Sequence, residues 1–227
     1  EHIRVMGDKI TAKETMRILG VPCVPGSEGG VPDLDTAKKI GTDIGYPVII
    51  KATAGGGGRG MKVAKTDADM EQAFMTARAE GKAAFGNDEV YIEKYLTTPR
   101  HIEIQVFGDG KGQAVHLGER DCSLQRRHQK VFEEAPGPCI SAEERERIGA
   151  TCAEAVAKIN YIGAGTIEFL YENGEFYFIE MNTRLQVEHP ITESIFGVDI
   201  VREQIRVAAG LEMTFRQENL SIKGHSI

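Results

Sequence analysis

The sequence has no CxxC pair, no apolar run approaching a membrane span, no excess of positive charge and no GxxxxGK[ST] phosphate loop. Each absence excludes something. Four scattered cysteines, Cys23, Cys122, Cys139 and Cys152, point to neither structural zinc nor a disulfide framework, but to buried thiols in a reducing compartment. Apolar runs fall well short of the roughly eighteen residues that a spanning helix needs, and no signal peptide precedes the first helix. No membrane partner is therefore expected, and the location is the cytoplasm, or an organelle interior if a transit segment has been removed. A net charge of -7 gives no basic face for wide, sequence-independent contact with nucleic acid, so any phosphate site must be local. Internal repeats and low-complexity segments are also lacking.

What is present is an ordinary globular composition. With 227 residues, 41% of them hydrophobic, the chain can bury one large core or two small ones. It opens on the polar "EHIRVMGDK" and stops at "KGHSI", an alternating tail without a turn signal, so a fragment of a longer protein is expected.

The stretch "KATAGGGGRGMKV", Lys51 to Val63, holds five glycines and three cations. Free backbone N–H groups with a lysine at their root read as a clasp for an anion such as a polyphosphate. The apolar "VIIKA" before it and "GMKVAK" after it are both strands by pattern, so the loop joins two strands. That context fits neither a P-loop nor a dinucleotide fingerprint, which need a helix directly after the glycines.

Elsewhere, Asp8 is a candidate N-cap for a short helix through Ile10, Met16 and Leu19 that Gly20 and Pro22 end. Helices are predicted over about 34–44, 67–85, 142–159 (after the Ser141/Glu144 capping box) and 198–209. Strands are predicted at 89–96, in a hairpin formed by "HIEIQVFGD" and "AVHLGERDCS", and in a second hairpin formed by "GTIEFLY" and "EFYFIEMN" around Asn173-Gly174. The order suggests an α+β fold with a lid-like insert. The expected segments are 1–22, 23–95 and 96–227.

Three strand positions carry groups that a half-buried sheet should avoid: Glu168, Glu180 and Asn182. Alternation puts Glu180 and Asn182 on one face, and an antiparallel neighbour can bring Glu168 beside them. They offer hard oxygen ligands, the set that suits magnesium or manganese completed by a substrate phosphate. A strict two-residue Asn-Gly turn would place Glu168 opposite Ile179, on the wrong face. Shared ligation therefore predicts a loop of odd count, for instance Asn173 to Glu175. Past Asn182, "TRLQVEHP" continues the alternation and carries Arg184, Gln186 and Glu188 onto the same face. Arg184 could hold a small anion bidentately and Glu188 could act on it as a general base, although a solvated edge strand would have the same pattern. The segment "ERDCSLQRRHQK" places Arg120, Arg126, Arg127, His128 and Lys130 within eleven residues; it would suit a nucleotide triphosphate or be a solvated loop.

In "KATAGGGGRGMKV", "ERDCSLQRRHQKVFEEAP" and "FIEMNTRLQVEHPITE" the sequence resembles the ATP-grasp region of the biotin carboxylase family, over its whole length. The resemblance implies an ATP-grasp fold with an antiparallel sheet core and a smaller mobile lid that closes over ATP. By the same match, Lys9 and Lys51 contact phosphates, Gly57 and Gly58 are backbone donors, and Glu93, Lys94, Tyr95 and Leu96 form the hinge strand at adenine. His101 and His128 lie at the ribose and phosphates, and Met61, Gln125 and Leu170 belong to the nucleotide site. Glu168, Glu180 and Asn182 hold Mg2+ or Mn2+. The implied reaction makes carboxyphosphate from ATP and bicarbonate, then carboxylates biotin on a carrier protein. Glu188 deprotonates bicarbonate, which Arg184, Gln186 and the backbone of Val187 orient, and Lys130 neutralises charge on the transferring phosphoryl group. The implied partners are a biotin carboxyl carrier protein and a carboxyltransferase component, as in acetyl-CoA carboxylase, with a homodimer for the full-length enzyme and a monomer for the fragment. Two alternatives stand beside this reading: a bicarbonate-activating ligase of the carbamoyl phosphate synthetase type, and a nucleotide-binding module without catalysis.

Overall fold

The computed structural model describes residues 6, 9–53, 60–127 and 129–227, the side chains of Lys9 and Ile10 excepted. The chain divides into two compact units: Val24–Thr98, and the residues up to Cys23 together with Pro99–Ile227.

In Val24–Thr98, helix α1 belongs to the other unit (Lys9–Ile18), and the elements are α2 (Leu34–Ile44), β1 (Val48–Ala52), β2 (Met61–Ala64), α3 (Asp67–Phe85) and β3 (Val90–Lys94). The strands form one antiparallel sheet in the order β2-β1-β3. Val48, Ile50 and Ala52 alternate into a core with Val90, Ile92, Met70, Phe74 and Ala77, as period two demands of a sheet covered on one face. Asp33 caps α2 by accepting from the Thr36 N–H at 2.8 Å. Helix α3 ends where Gly86 turns left-handed, φ 74°, a conformation that glycine takes without a Cβ penalty. The glycine segment therefore connects the antiparallel pair β1 and β2, with Lys51 opposite Met61.

The second unit carries β4 (Arg100–Asp109), β5 (Ala114–Arg126), β6 (Gln129–Glu134), α4 (Ala142–Lys158), β7 (Ile162–Glu172), β8 (Glu175–Asn182), α5 (His189–Phe196) and α6 (Ile200–Ala208). Its five strands run antiparallel in the order β6-β5-β4-β7-β8. One face packs Ile102, Ile104, Ile167, Phe169, Phe176 and Phe178 against Ile148, Cys152 and Val156 of α4. Phe107 and Ala164 on the other face join Ile200, Val207, Met213 and Phe215, so the apolar cover there lies four residues along from Glu103 and Glu168.

Several expectations change. The 173–174 turn has two residues, with Glu172 opposite Glu175, not an odd count: Asn173 (φ 56°) and Gly174 (φ 84°) both take the positive φ that a type I′ turn requires. Glu168 nevertheless faces Glu180, because the register shifts between Phe169↔Phe178 and Glu168↔Glu180. Ile179 is the extra residue of a β-bulge, which re-aims everything after it. The alternation past Asn182 is not a strand: β8 ends there, and Glu188 precedes α5, which has Pro190 in its first turn. The basic segment is not a loop but continues β5 into the edge strand β6. All four cysteines are free, Cys122 and Cys152 being buried, Cys23 half-buried and Cys139 exposed. The proposed cap Asp8 lies outside the described residues.

Candidate active site

Antiparallel pairing lines up Arg120, Glu103, Glu168 and Glu180 across β5, β4, β7 and β8. Two residues along, Gln105, Thr166 and Asn182 form a parallel row. A charged row in mid-sheet needs compensation, since burying an unpaired charge is costly. The compensation comes from Lys130, on β6 opposite Gln125. Its ammonium donates to Glu168 Oε1 at 3.0 Å, to Glu188 Oε1 at 2.6 Å and to Glu103 Oε2.

Glu168 is the most heavily used acceptor. Its Oε1 also takes Asn182 Nδ2 at 2.9 Å and Gln186 Nε2 at 3.0 Å, while Oε2 stands 3.0 Å from His101 Nε2. Burial works against its charge, but the hydrogen bond from His101 and the Lys130 ammonium outweigh it and lower the carboxyl to about 2. Burial likewise disfavours the Lys130 ammonium, yet the Glu103 and Glu168 carboxylates hold it above the ordinary lysine value. Glu188 is half-buried, which alone would raise its pKa; the bond from Lys130 brings it below the ordinary glutamate value. Lys130, Glu168 and Glu188 thus sustain one another's charge in a largely buried place.

Of the expected anion ligands, Gln186 is buried and meets Glu168. Val187 occupies the turn before α5 with its side chain 92% exposed. Arg184 is exposed and donates to Asn182 Oδ1 at 3.2 Å and to its neighbour's carbonyl, Leu185 O. His101 pairs across strands with Leu170, and Gln125 Nε2 donates to the Cys122 carbonyl at 3.0 Å.

Within Val24–Thr98, Lys51 Nζ meets Glu93 Oε2 at 2.6 Å and lies 5.9 Å from the Tyr91 ring centroid. Lys94 Nζ donates instead to the carbonyls of Gly45 and Tyr46, at 2.7 and 3.1 Å. The Tyr95 N–H donates to Pro47 O at 3.1 Å, and Leu96 is buried. The Lys9 side chain, Gly57, Gly58 and His128 lie outside the described residues.

The sequence reading missed Glu103 and Gln105, and placed Arg120 in a basic segment suited to a nucleotide triphosphate or a solvated loop, whereas Arg120 is without solvent exposure and pairs with Glu103. Pairing gathers the Glu168 and Glu180 carboxylates onto one face, oxygen donors of the kind that fits a hard divalent cation; Asn182 turns its Nδ2 to Glu168 and its Oδ1 to Arg184, so its amide would have to reverse to add an oxygen to that set.

A carboxylate-amide row answered by Lys130 and Arg120 on a five-stranded antiparallel sheet, in a chain whose other unit carries the β1–β2 hairpin joined by the glycine-rich segment, defines a nucleotide-binding domain. The family model described as "Carbamoyl-phosphate synthase L chain, ATP binding domain" matches residues 8–216, and the chain belongs to that family. Within it, the chain is similar throughout to biotin carboxylases. That of Haemophilus influenzae is 61% identical over 226 residues, which are 99% of this chain and 50% of that protein. A crystal structure of the biotin carboxylase domain dimer of Hydrogenobacter thermophilus 2-oxoglutarate carboxylase, with MgADP, ADP and bicarbonate, is 49% identical with a TM-score of 0.85. It matches 98% of this chain and 49% of that one. A biotin carboxylase from Campylobacter jejuni in complex with β-γ-ATP is also 49% identical, with a TM-score of 0.86 over 99% of this chain and 50% of that one. The fold is α+β, of the ATP-grasp type. The chain spans about half the length of the curated relatives it matches.

Proposed function

We propose that this chain is the ATP-grasp portion of a biotin carboxylase, which activates bicarbonate with ATP and passes the carboxyl group to biotin on a carrier protein. The observation that carries the reading is Lys130, held by Glu103, Glu168 and Glu188 at the edge of an oxygen-rich face. A fixed ammonium beside an ionised carboxylate is what phosphoryl transfer to a weakly nucleophilic anion needs. The carboxylate takes the proton, and the cation meets charge building on the transferring group.

Glu188, ionised at neutral pH, accepts the bicarbonate proton while a bicarbonate oxygen bonds to the γ-phosphorus and the bond to ADP breaks. Arg184, Gln186 and the Val187 N–H orient the anion. Carboxyphosphate then breaks down, the released phosphate takes the ureido proton of biotin, and the biotin nitrogen bonds to the carboxyl carbon. Lys51 contacts ATP phosphates and Glu93 to Leu96 the adenine. Glu168, Glu180 and Asn182 would hold Mg2+, which when bound neutralises phosphate charge. The structures with MgADP and bicarbonate of the Hydrogenobacter relative support the same substrates here.

The test is bicarbonate-dependent ATP hydrolysis by the full-length protein, with and without biotin. Glu188→Gln should lower the biotin-stimulated rate by about 10²–10⁴-fold while the KM for MgATP changes little. Turnover stimulated by ammonia and not by biotin would replace this reading with a carbamoyl phosphate synthetase type. ATP binding without turnover would leave a nucleotide-binding module.

A further inference from the structure

Arg120 is the largest fully buried side chain, and the roles assigned above leave it unexplained. Its guanidinium has five N–H donors, and all five are taken. Nε donates to Glu103 Oε1 at 2.5 Å; one terminal nitrogen donates to Gln105 Oε1 at 2.7 Å and Thr192 Oγ1 at 2.9 Å. The other donates to Thr166 Oγ1 and Gln186 Oε1, each at 3.2 Å. These acceptors come from β4, β7, α5 and the turn between β8 and α5, so one planar group ties together four segments. No donor remains for a ligand, and Arg120 therefore acts through its neighbours.

Two of those neighbours are committed by it. Gln186 gives its carbonyl oxygen to Arg120, so its Nε2 must point the other way, where it donates to Glu168 at 3.0 Å. Glu103 gives one oxygen to Arg120 and keeps the other for Lys130. The planar fork thus sets the polarity of one amide and splits one carboxylate between two cations, which the point charge of a lysine could not reproduce.

We propose that Arg120 is a positioning residue for the bicarbonate step, presenting the Gln186 amide as a donor and fixing Lys130 through Glu103. The inference rests on the functional reading above. Its test is steady-state kinetics of the full-length protein carrying Arg120→Lys, checked for folding by circular dichroism. The expected result is a loss of about 10–100-fold in kcat/KM for bicarbonate, with the KM for MgATP held within about twofold. A folded variant with unchanged bicarbonate kinetics, or with the KM for MgATP raised as much as that for bicarbonate, would overturn it. Should Arg120→Lys not fold, Thr192→Val removes one acceptor at a position away from the assigned substrate contacts. It should lower kcat/KM for bicarbonate by about two- to tenfold, the effect of one hydrogen bond; no change there would equally overturn the proposal. A wild-type protein without bicarbonate-dependent turnover removes the functional reading itself, and this inference with it.

Discussion

Replacing Lys130 by methionine removes an ammonium while keeping most of the side chain's bulk, and its cost in stability should shrink as the pH falls. Three carboxylates converge on that ammonium, their side chains 0%, 8% and 9% exposed for Glu103, Glu168 and Glu188. After the change Glu103 keeps Arg120 and Glu168 keeps His101, but among the described residues no second ion pair holds Glu188. In the native protein the Glu168 carboxyl falls from its ordinary 4.5 to about 2. At about 1.4 kcal/mol per pH unit, that is on the order of 3 kcal/mol, shared between His101 and Lys130. Because the folded value is the lower one, this stabilisation is fully present above about pH 4.5 and is lost as the pH falls toward 2. The native chain should therefore be insensitive to pH in the neutral range on account of this group. Without Lys130 the carboxylates are buried and under-compensated, a loss of about 3–5 kcal/mol at neutral pH. The folded pKa of Glu188, left with its burial and without the Lys130 bond, then rises above the unfolded one, so the folded state binds an extra proton and the variant should regain stability on acidification toward pH 5. Urea unfolding of both proteins between pH 5 and 8, in chelator to exclude divalent metal, reads the difference directly. Curves that stay parallel across that range, with a gap below about 1 kcal/mol, would refute the view that Lys130 compensates the cluster.

Two further outcomes test the packing and the register. A Cβ added to Gly108 would stand 2.2 Å from the Tyr161 carbonyl oxygen, a backbone atom that cannot swing aside, so Gly108→Ala should destabilise by about 2–3 kcal/mol; an unchanged thermal midpoint would show that β4 and the turn before β7 can separate there. Deleting Ile179 should leave Phe169 opposite Phe178 and Glu168 opposite Glu180, because it is the unpaired residue of the bulge. The deletion variant should fold with a loss of about 1–2 kcal/mol and retain cross-strand contacts between those pairs by nuclear magnetic resonance; an unfolded chain would contradict the assignment.

Local signals made most elements legible in the sequence. Helix α3 spans Asp67–Phe85 as the pattern predicts, and the Ser141/Glu144 box is formed in both directions, at 3.1 and 2.9 Å. The errors occur where a local pattern was ambiguous. Strand β6 is an edge strand in which half the residues are exposed and none is buried, so its charged sequence looks like a solvated loop. Helix α5 begins in the last two residues of an accidental alternation, "TRLQVEHP", although Pro190 in its first turn and Gly197 at its end, φ 66°, are the punctuation that marks a helix.

The face that gathers Glu103, Glu168 and Glu180 was only partly legible in the sequence, because its geometry depends on two bulges that strict alternation cannot express. Ile179 is one. Gly118, φ 63°, marks the other, where the register of β4 against β5 shifts between Ile104 and Val106. Extending the pairing Val106↔His116 without a shift would set Glu119 opposite Glu103 and turn Arg120 to the apolar side. Extending Phe169↔Phe178 would set Ile179 opposite Glu168 and turn Glu180 to the α4 side. Each extra residue moves one charged group onto the face that holds its partners, Arg120 to Glu103 and Glu180 to Glu168. The signals are present in the sequence: an isolated glycine within a strand pattern, and a break in parity between Phe178 and Met181, which are both buried although three residues apart. Read as bulges, they bring the acidic row and its buried arginine onto one face before any ligand is considered.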